Sequence, residues 1–366
     1  MPRVAWLIAI VLLLGGCTRA GWSTHANADD GGNAADLTPI ATDFAGERPS
    51  IPGLKPDGGV ADDAALASCS DQLQNGDETG IDCGGSCAIA CLCSQQAQIP
   101  ASECEALRAF YYATGGDNWT NRSGWNSSPT PCSWHGIVCA IGHVDWIDLT
   151  NNNLSGSLPD QLAALTKMSD LVLPQNRLTG GIPSALASLP IDRLQLNGNQ
   201  LSGALPKWLD RLPLAVLELQ NNSFSGAIPA SLAKVPSLTV LHLQNNRLSG
   251  VIPDLSGLSQ LQQLGLGNNT LDGPLPTGLG DLLKLVHLDV GDNALVGTVP
   301  SSVGALESLR YLNLQNNKLA GALPPELAKL RLQSAHFYGN GCFTASGELA
   351  SWLTALDPNW SDGCGP

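Results

Sequence analysis

Basic residues are scarce in this sequence, and their scarcity limits the partners that the protein can bind. Lys and Arg together number 18 against 32 Asp and Glu, which gives a formal net charge of −14. A nucleic-acid-binding surface neutralises phosphates with Lys and Arg, so this balance excludes nucleic acid as a partner. The negative charge suits solubility and a neutral or basic partner instead.

Motifs of the common catalytic sites are also missing. The sequence contains no HExxH metalloprotease motif, no phosphate-binding loop and no Ser in a nucleophile elbow. Each of these motifs places a reactive group and its partner in a geometry that the reaction requires. We therefore expect no enzymatic activity, no catalytic residues, no bound metal and no cofactor.

What the sequence does contain is one pattern written nine times, with successive starts 23 or 24 residues apart. Each repeat follows LxxLxLxxNxLSGxIPxxLxxLxx, and the fifth reads LTVLHLQNNRLSGVIPDLSGLSQ. The repeats start at Val144, Met168, Ile191, Leu214, Leu238, Leu261, Leu285, Leu309 and Leu332. A fixed short period indicates a solenoid, because one repeat cannot bury its apolar face alone and must stack on its neighbours. The alternation in Leu241-His242-Leu243 is typical of a strand with one face inward, which predicts a parallel sheet.

An Asn occupies the same place in every repeat, where we expect the chain to turn. These residues are Asn152, Asn176, Asn199, Asn222, Asn246, Asn269, Asn293, Asn317 and Asn340. An Asn amide has two donors and an acceptor, so it can bind the backbone of a tight bend.

The LSGxIP segment, seen as Leu154-Ser155-Gly156-Ser157-Leu158-Pro159, resembles the plant-specific class of leucine-rich repeats. That class occurs in receptor-kinase ectodomains and in polygalacturonase-inhibiting proteins. The resemblance implies an α/β repeat fold over residues 144–341. It would be a right-handed leucine-rich repeat solenoid of nine repeats, with a parallel β-sheet on the concave face, a second short sheet beside it, and disulfide-bonded caps.

Residues 103–143 and 342–366 are expected to cap the two ends of the solenoid. Asp117-Asn118-Trp119 and the segment from Cys132 to Cys139 resemble the N-terminal cap of plant-type leucine-rich repeats, and this implies a Cys132–Cys139 disulfide. At the other end, Leu349, Trp352, Leu353 and Leu356 have the spacing of a short amphipathic helix. Cys364 follows that helix as the natural partner of Cys342. Caps are required because an open solenoid end exposes apolar surface.

The first 17 residues predict export and anchoring. Arg3 precedes an apolar run from Val4 to Leu14, which is shorter than the roughly 20 residues that span a bilayer. Leu14-Gly15-Gly16-Cys17 resembles a bacterial lipobox, which implies lipidation of Cys17. An ordinary secretory signal is the alternative. We expect a lipid-anchored protein of the bacterial cell envelope, at the outer membrane or cell surface, that touches the membrane only through its anchor.

Two segments separate this signal from the cap. Residues 18–68 are poor in large apolar side chains and are predicted to be a disordered tether. Residues 69–102 are predicted to be a Cys-rich module, which together with Cys104 has six cysteines: Cys69, Cys83, Cys87, Cys91, Cys93 and Cys104. Disulfides are favoured in an exported chain and zinc is the alternative, but the pairing stays open because six cysteines allow 15 pairings. The acidic run from Asp71 to Asp82 leaves open whether this module binds calcium.

Side chains between the core leucines of each strand are predicted to lie on the concave face and to recognise a ligand. They form two columns, one starting at Trp146 and the other at Asp148. The groups best suited to binding are Glu218, His242, Gln263, His287, Asp289, Tyr311, Asn313, His336 and Tyr338. Aromatic and His side chains anchor partners, and Asn, Gln and Asp supply directional hydrogen bonds. The alternative is that this face is polar only because it is exposed to water.

Two kinds of ligand remain. The receptor resemblance favours a protein or peptide ligand, whereas the inhibitor resemblance favours a carbohydrate or a hydrolase. A metal ligand is not expected: His242 and His287 lie two strands apart, about 10 Å, and zinc needs bonds of about 2 Å to its ligands.

Overall fold

A computed structural model describes residues 92–363 of the chain. The predicted signal, tether and most of the Cys-rich module lie outside the described residues. So do Cys17, Cys69, Cys83, Cys87, Cys91 and Cys364. Predictions about lipidation, the tether, calcium and the pairing of those cysteines therefore stay predictions.

Helices in the described part are short and belong to the caps and to the connections between strands. The α-helices are Leu92–Gln95, Ala101–Ala113 and Gly347–Leu356. The 3₁₀ helices are Gly116–Asn118, Pro131–Ser133, Asp160–Ala164, Ser184–Ser188, Lys207–Arg211, Ala230–Lys234, Thr277–Asp281, Ser301–Ala305 and Pro325–Lys329. Between residues 92 and 363, no helix is both long and apolar enough to cross a bilayer.

The main sheet contains ten strands, one from each repeat and one from the N-terminal cap. They are Ile137–Ala140, His143–Asp148, Asp170–Val172, Arg193–Gln195, Val216–Glu218, Val240–His242, Gln263–Gly265, His287–Asp289, Tyr311–Asn313 and Ser334–His336. The cap strand is antiparallel to the second strand, and the nine repeat strands are parallel. The predicted parallel sheet of nine repeats is confirmed.

Register along the sheet is constant, with the core residue of each repeat beside that of the next. This central column is Ile147, Leu171, Leu194, Leu217, Leu241, Leu264, Leu288, Leu312 and Ala335, all of them almost fully buried. Burying one Leu or Ile contributes roughly 1.5–3 kcal/mol, so the repeats stabilise the solenoid through many similar contributions.

The Asn of the second to ninth repeats joins three backbone segments, whereas the Asn152 side chain of the first repeat binds the backbone of Asn121 in the cap. In the eighth repeat, the Asn317 Nδ2 donates to the carbonyl oxygens of Val290 at 3.0 Å and Leu314 at 3.1 Å. Its Oδ1 accepts the N–H of Leu295 at 3.0 Å. The same pattern recurs from Asn176 to Asn340, so the side chain satisfies buried backbone groups of its own repeat and of the one before. The expected role of this residue at the bend is therefore present in the structure.

A second set of short strands lies in the LSGxIP segments. These strands are Ser155–Ser157, Arg177–Thr179, Ser202–Ala204, Ser223–Gly226, Arg247–Val251, Thr270–Asp272, Val296–Gly297, Lys318–Leu319, Gly321–Ala322 and Phe343–Thr344. They form one four-stranded sheet and three pairs rather than a continuous sheet. The LSG glycine has a positive φ in each of the first eight repeats, for example 76° at Gly250, which explains why no larger residue occupies it there; the ninth repeat has Thr344 at this position.

Aromatic residues close the N-terminal end. The rings of Trp119 and Trp125 lie 4.9 Å apart, and those of Trp125 and Trp134 lie 5.0 Å apart. Each indole N–H donates to a backbone carbonyl at 2.9 Å, so these large side chains are buried without an unsatisfied donor. Cys132 and Cys139 form a disulfide, which is the pair that the resemblance implied.

The helix Ala101–Ala113 is bonded to the short helix that precedes it and to the first repeat. A disulfide between Cys93 and Cys104 links it to the preceding short helix. Its buried Glu103 accepts the N–H of Val144 at 2.8 Å and lies 2.6 Å from His143 Nδ1. The carboxylate thereby satisfies a backbone donor where the first repeat begins.

A second buried carboxylate closes the C-terminal end. The helix Gly347–Leu356 is the one that the spacing of its Leu residues predicted, and Asp357 follows it. Asp357 Oδ2 accepts the N–H groups of Phe337 at 2.6 Å and Tyr338 at 3.1 Å, just after the last main-sheet strand. Cys342 is itself disulfide-bonded, while Cys364, its predicted partner, lies outside the described residues.

Candidate ligand-binding face

Two columns of side chains flank the buried central column, and together they form what we call the main-sheet face. The first column is Trp146, Asp170, Arg193, Val216, Val240, Gln263, His287, Tyr311 and Ser334, and the second is Asp148, Val172, Gln195, Glu218, His242, Gly265, Asp289, Asn313 and His336. These are the columns that the repeat alignment predicts. Alternation along a strand places both on the side opposite the core leucines.

In the N-terminal part of this face, the polar side chains contact one another. Arg193 Nε lies 2.9 Å from Asp170 Oδ1. Gln195 Nε2 donates to Glu218 Oε2 at 2.6 Å, and His242 Nδ1 lies 3.5 Å from Glu218 Oε1. Burial by itself would raise the pKa of Glu218, but the contacts with His242 and Gln195 outweigh it, and the pKa lies below its usual value. Glu218 is therefore a carboxylate at neutral pH.

In the sixth repeat, the face is occupied by Gly265, which has no side chain. This glycine separates the polar contacts around Glu218 from the C-terminal part of the face. A Cβ built on Gly265 would lie 2.4 Å from Gln244 Oε1, so the Gln244 side chain lies directly over this glycine. In the same repeat, a Cβ on Gly267 would lie 2.8 Å from Asp289 Oδ2. The glycines thus allow side chains from the fifth and seventh repeats to lie against the backbone of the sixth.

The C-terminal part of the face forms a hollow of about 170 Å³ over repeats seven to nine. It is lined by His287, Asp289, Tyr311, Leu312, Asn313, Ser334 and His336. Buried Leu312 forms the floor. The Tyr311 ring lies 5.8 Å from His287, and the Tyr311 hydroxyl donates to Gln333 Oε1 at 2.5 Å. These two contacts fix the orientation of the ring.

Electrostatics in this hollow are set by burial. Burial raises the pKa of Asp289 above its usual value, although the N–H of Gly291, 3.0 Å from Oδ1, the neighbouring His287 and a hydrogen bond from the Asn313 side chain act in the opposite direction. Burial also lowers the pKa of His287, against the opposing effect of Asp289. His287 is therefore neutral at pH 7, and the Asp289 carboxylate has no full counter-charge beside it.

The structure thus divides the predicted residues into two groups. Glu218 and His242 lie together on one side of Gly265. On the other side, His287, Asp289, Tyr311, Asn313 and His336 share the hollow; Gln263 pairs with His287 across the strands, and the Tyr338 ring contacts His336 at 6.0 Å. Ser334, which also lines the hollow, was in the predicted column but not among the selected residues.

From a third column, two residues beyond the second, sequence reasoning selected only Tyr338. In it, the side-chain oxygens of Asn197, Gln220 and Gln244 are buried and have no hydrogen-bond partner within the described chain. A buried acceptor without a donor costs about 1–3 kcal/mol. Recurrence of amide side chains at one place in successive repeats was the signal that could have identified them.

Other candidate sites are less informative. A hollow of about 410 Å³ lies between the helix Ala101–Ala113 and the 3₁₀ helix Asp160–Ala164, and it is lined mainly by apolar surface of the N-terminal cap. Within residues 92–363, no three His, Cys, Asp or Glu side chains are grouped closely enough to hold a metal ion.

Family models match the cap and several repeats. Residues 100–140 match the leucine rich repeat N-terminal domain. Residues 213–271 match one leucine rich repeat model, and residues 143–165 and 308–330 match another. These matches coincide with the aromatic cap and with repeats of the main sheet.

Protein MALE DISCOVERER 2 of Arabidopsis thaliana is 33% identical to this chain over 89 residues. That stretch is 24% of this chain and 13% of the relative. The match therefore spans a small part of the relative's own length.

Solved structures match a larger share of this chain. The ectodomain of the Arabidopsis thaliana receptor kinase GASSHO1/SCHENGEN3, in complex with CASPARIAN STRIP INTEGRITY FACTOR 2, has a TM-score of 0.62 and 29% identity, over 70% of this chain and 34% of that one. The Arabidopsis receptor kinase HAESA, in complex with the peptide hormone IDA and the co-receptor SERK1, has a TM-score of 0.54 and 30% identity, over 66% and 46%. A plant ice-binding protein has a TM-score of 0.57 and 26% identity, over 72% and 96%.

These comparisons overturn one prediction. The location in a bacterial cell envelope is wrong, because the matching relatives and receptor ectodomains are plant proteins. The prediction depended on four residues, Leu14 to Cys17, after a short apolar run. Such a short motif specifies much less than a repeat that recurs nine times.

Fold, cap and repeat type agree with one another. The matched residues include strands of the main sheet, bend asparagines such as Asn246 and LSG glycines such as Gly250. The chain is a leucine-rich repeat solenoid with repeats of the plant type and a leucine-rich repeat N-terminal domain.

Proposed function

We propose that the protein binds a peptide, or an extended segment of a protein, across the main-sheet face, with repeats seven to nine as the principal contact. The single observation that carries this proposal is the hollow lined by His287, Asp289, Tyr311, Asn313 and His336. Five side chains that are not needed for the fold converge there on one side-chain-sized space, on a rigid sheet.

Chemistry of the lining supports an extended polypeptide. Tyr and His rings supply anchoring area, and Asn313 and Asp289 supply directional hydrogen bonds.

Two of the similar structures lend further support. HAESA was solved with the peptide hormone IDA, and GASSHO1/SCHENGEN3 with CASPARIAN STRIP INTEGRITY FACTOR 2. Each covers about two thirds or more of this chain, so the likeness extends over most of the repeats. A plant cell-surface receptor domain is the setting that these neighbours favour. A glycan or a hydrolase as ligand stays a prediction, as does the lack of enzymatic activity.

Selection from a displayed library of random peptides on the full chain tests the proposal. We expect peptides that bind the wild-type protein and fail to bind a variant with His287, Asp289 and Tyr311 changed to Ala. A matched control changes Ser202, Ser225 and Asp272 to Ala. These three residues are exposed and lie on the short strands of the LSGxIP segments.

Circular dichroism checks that both variants keep the secondary structure of the wild-type protein. Recovery of no binding peptide, or undiminished binding to the His287, Asp289 and Tyr311 variant, would refute the proposal.

A further inference from the structure

We infer that the hollow over repeats seven to nine binds a cationic side chain of the ligand, a guanidinium or an ammonium group, with the Asp289 carboxylate as its counter-ion. This inference rests on the proposed function and adds to it the chemical class of the ligand: a peptide with an Arg or Lys at the position that enters the hollow.

The size of the hollow fits the end of one long side chain. Its volume is about 170 Å³, and at roughly 30 Å³ per water molecule it has room for about five or six non-hydrogen atoms. A guanidinium group with its adjoining methylene groups occupies a space of this order. An ammonium group with part of its alkyl chain does as well.

The charge of the lining favours a cation over an anion or an apolar group. One carboxylate lines the hollow, and no Lys or Arg does so among the described residues. His287 is neutral at pH 7 because burial lowers its pKa. An anion would therefore meet Asp289 without a compensating positive charge, and an apolar group would cover polar atoms without satisfying them.

The Asp289 carboxylate is held in place by hydrogen bonds from the backbone of Gly291 and from the side chain of Asn313. Its Oδ1 accepts the N–H of Gly291 at 3.0 Å, which fixes the carboxylate. Its Oδ2 lies close to the backbone of Gly267, where any side chain would displace it. Burial raises the pKa of this group, so the ionised form gains stability when a positive charge approaches.

Rings beside the carboxylate complete a site for a cation. Tyr311 is exposed, and its hydroxyl is bound to Gln333, so the face of its ring is held in place. A cation within about 6 Å of a Tyr ring is attracted by the ring electrons, most often in the case of Arg. The His336 ring, packed edge-to-face on Tyr338, bounds the far side of the hollow.

Peptides recovered by selection on the full chain provide the test. We expect enrichment of Arg or Lys at one position, on the wild-type protein and on the control Asp272→Asn, and loss of that enrichment on Asp289→Asn. Asn at position 289 keeps an oxygen that can accept the Gly291 N–H, so this variant removes the negative charge of the hollow while that contact is retained. Asp272 is an exposed carboxylate on the short strand Thr270–Asp272, so the control removes a charge away from the hollow.

A second measurement changes the peptide instead of the protein. Replacing the enriched Arg of the peptide by citrulline, its neutral isostere, should weaken binding to wild type by about tenfold or more, because a charge-assisted hydrogen bond is lost. The same replacement should have little effect on binding to Asp289→Asn.

Outcomes separate this inference from the proposed function. Peptides that bind the face without basic enrichment, or that bind Asp289→Asn and wild type equally, overturn the inference and leave the proposed function standing. Recovery of no peptide at all overturns both.

Discussion

The hydrogen-bond distances at the bend asparagines predict how much local stability is lost when one of these residues is replaced. Asn317→Ala removes an amide that is almost fully buried. It leaves the N–H of Leu295 without its acceptor and deprives the carbonyl oxygens of Val290 and Leu314 of a donor. An unsatisfied buried group costs about 1–3 kcal/mol, so we expect the local structure to lose about 3 kcal/mol.

Hydrogen exchange is the suitable assay, because a solenoid can open repeat by repeat and a single global transition would hide a local effect. A loss of about 3 kcal/mol corresponds to roughly a hundredfold faster exchange, since 1.4 kcal/mol is tenfold. The Leu295 amide should show this increase, and amides of the first two repeats should not.

Asn118→Ala serves as the control, because Asn118 is exposed and its side chain makes no described hydrogen bond. If the Leu295 amide exchanges at the wild-type rate in Asn317→Ala, the asparagine does not hold the repeats together as the distances indicate. Faster exchange spread evenly over all repeats would also contradict the reasoning, because it would show global rather than local loss of structure.

Three further predictions concern acid stability, the hollow and the cap. The depressed pKa of Glu218 contributes stability that is present above the usual pKa of a glutamate and is lost as pH falls through the folded value, so Glu218→Gln should flatten the acid limb of a Tm-against-pH curve; an unchanged limb would show that its contacts with Gln195 and His242 contribute nothing. Gly267→Ala should displace the Asp289 carboxylate and weaken peptide binding about tenfold while the fold remains, whereas Gly181→Ala, whose Cβ meets only an ordinary contact at 3.6 Å, should bind like wild type in a calorimetric titration. Removing the Cys132–Cys139 disulfide, whose cysteines are 7 residues apart, should cost about 2.5 kcal/mol of cap stability by loop entropy, measured by urea unfolding followed through the Trp fluorescence of the cap; an unchanged midpoint would be inconsistent with that estimate.

Much of the candidate site was predictable because strand register in a repeat protein follows from the period. Once Leu241, Leu264 and Leu288 are aligned, the residues on either side of them must also lie beside one another. The two columns of the main-sheet face could therefore be written from the sequence. The sequence could not predict which side chains of these columns contact one another. Glu218 binds Gln195 and approaches His242, whereas Asp289 lies over Gly267 and lines a different hollow.

The wrong prediction has a different origin. The location in a bacterial envelope came from a short motif outside the described residues, with no second feature to test it. The repeat type, by comparison, was read from nine copies, and the similar plant proteins agree with it.

The sequence alone determined the solenoid, because each repeat packs only against its neighbours and one short pattern contains all of those contacts. It also determined the Asn bend and the columns of the face, which depend on the same period. Only the tertiary structure decided that Glu103 and Asp357 close the two ends of the sheet, because each carboxylate binds backbone groups 19 to 41 residues away. It also decided the hollow, since the direction of the Asp289 side chain depends on a glycine in the neighbouring repeat, which no pattern within one repeat can specify.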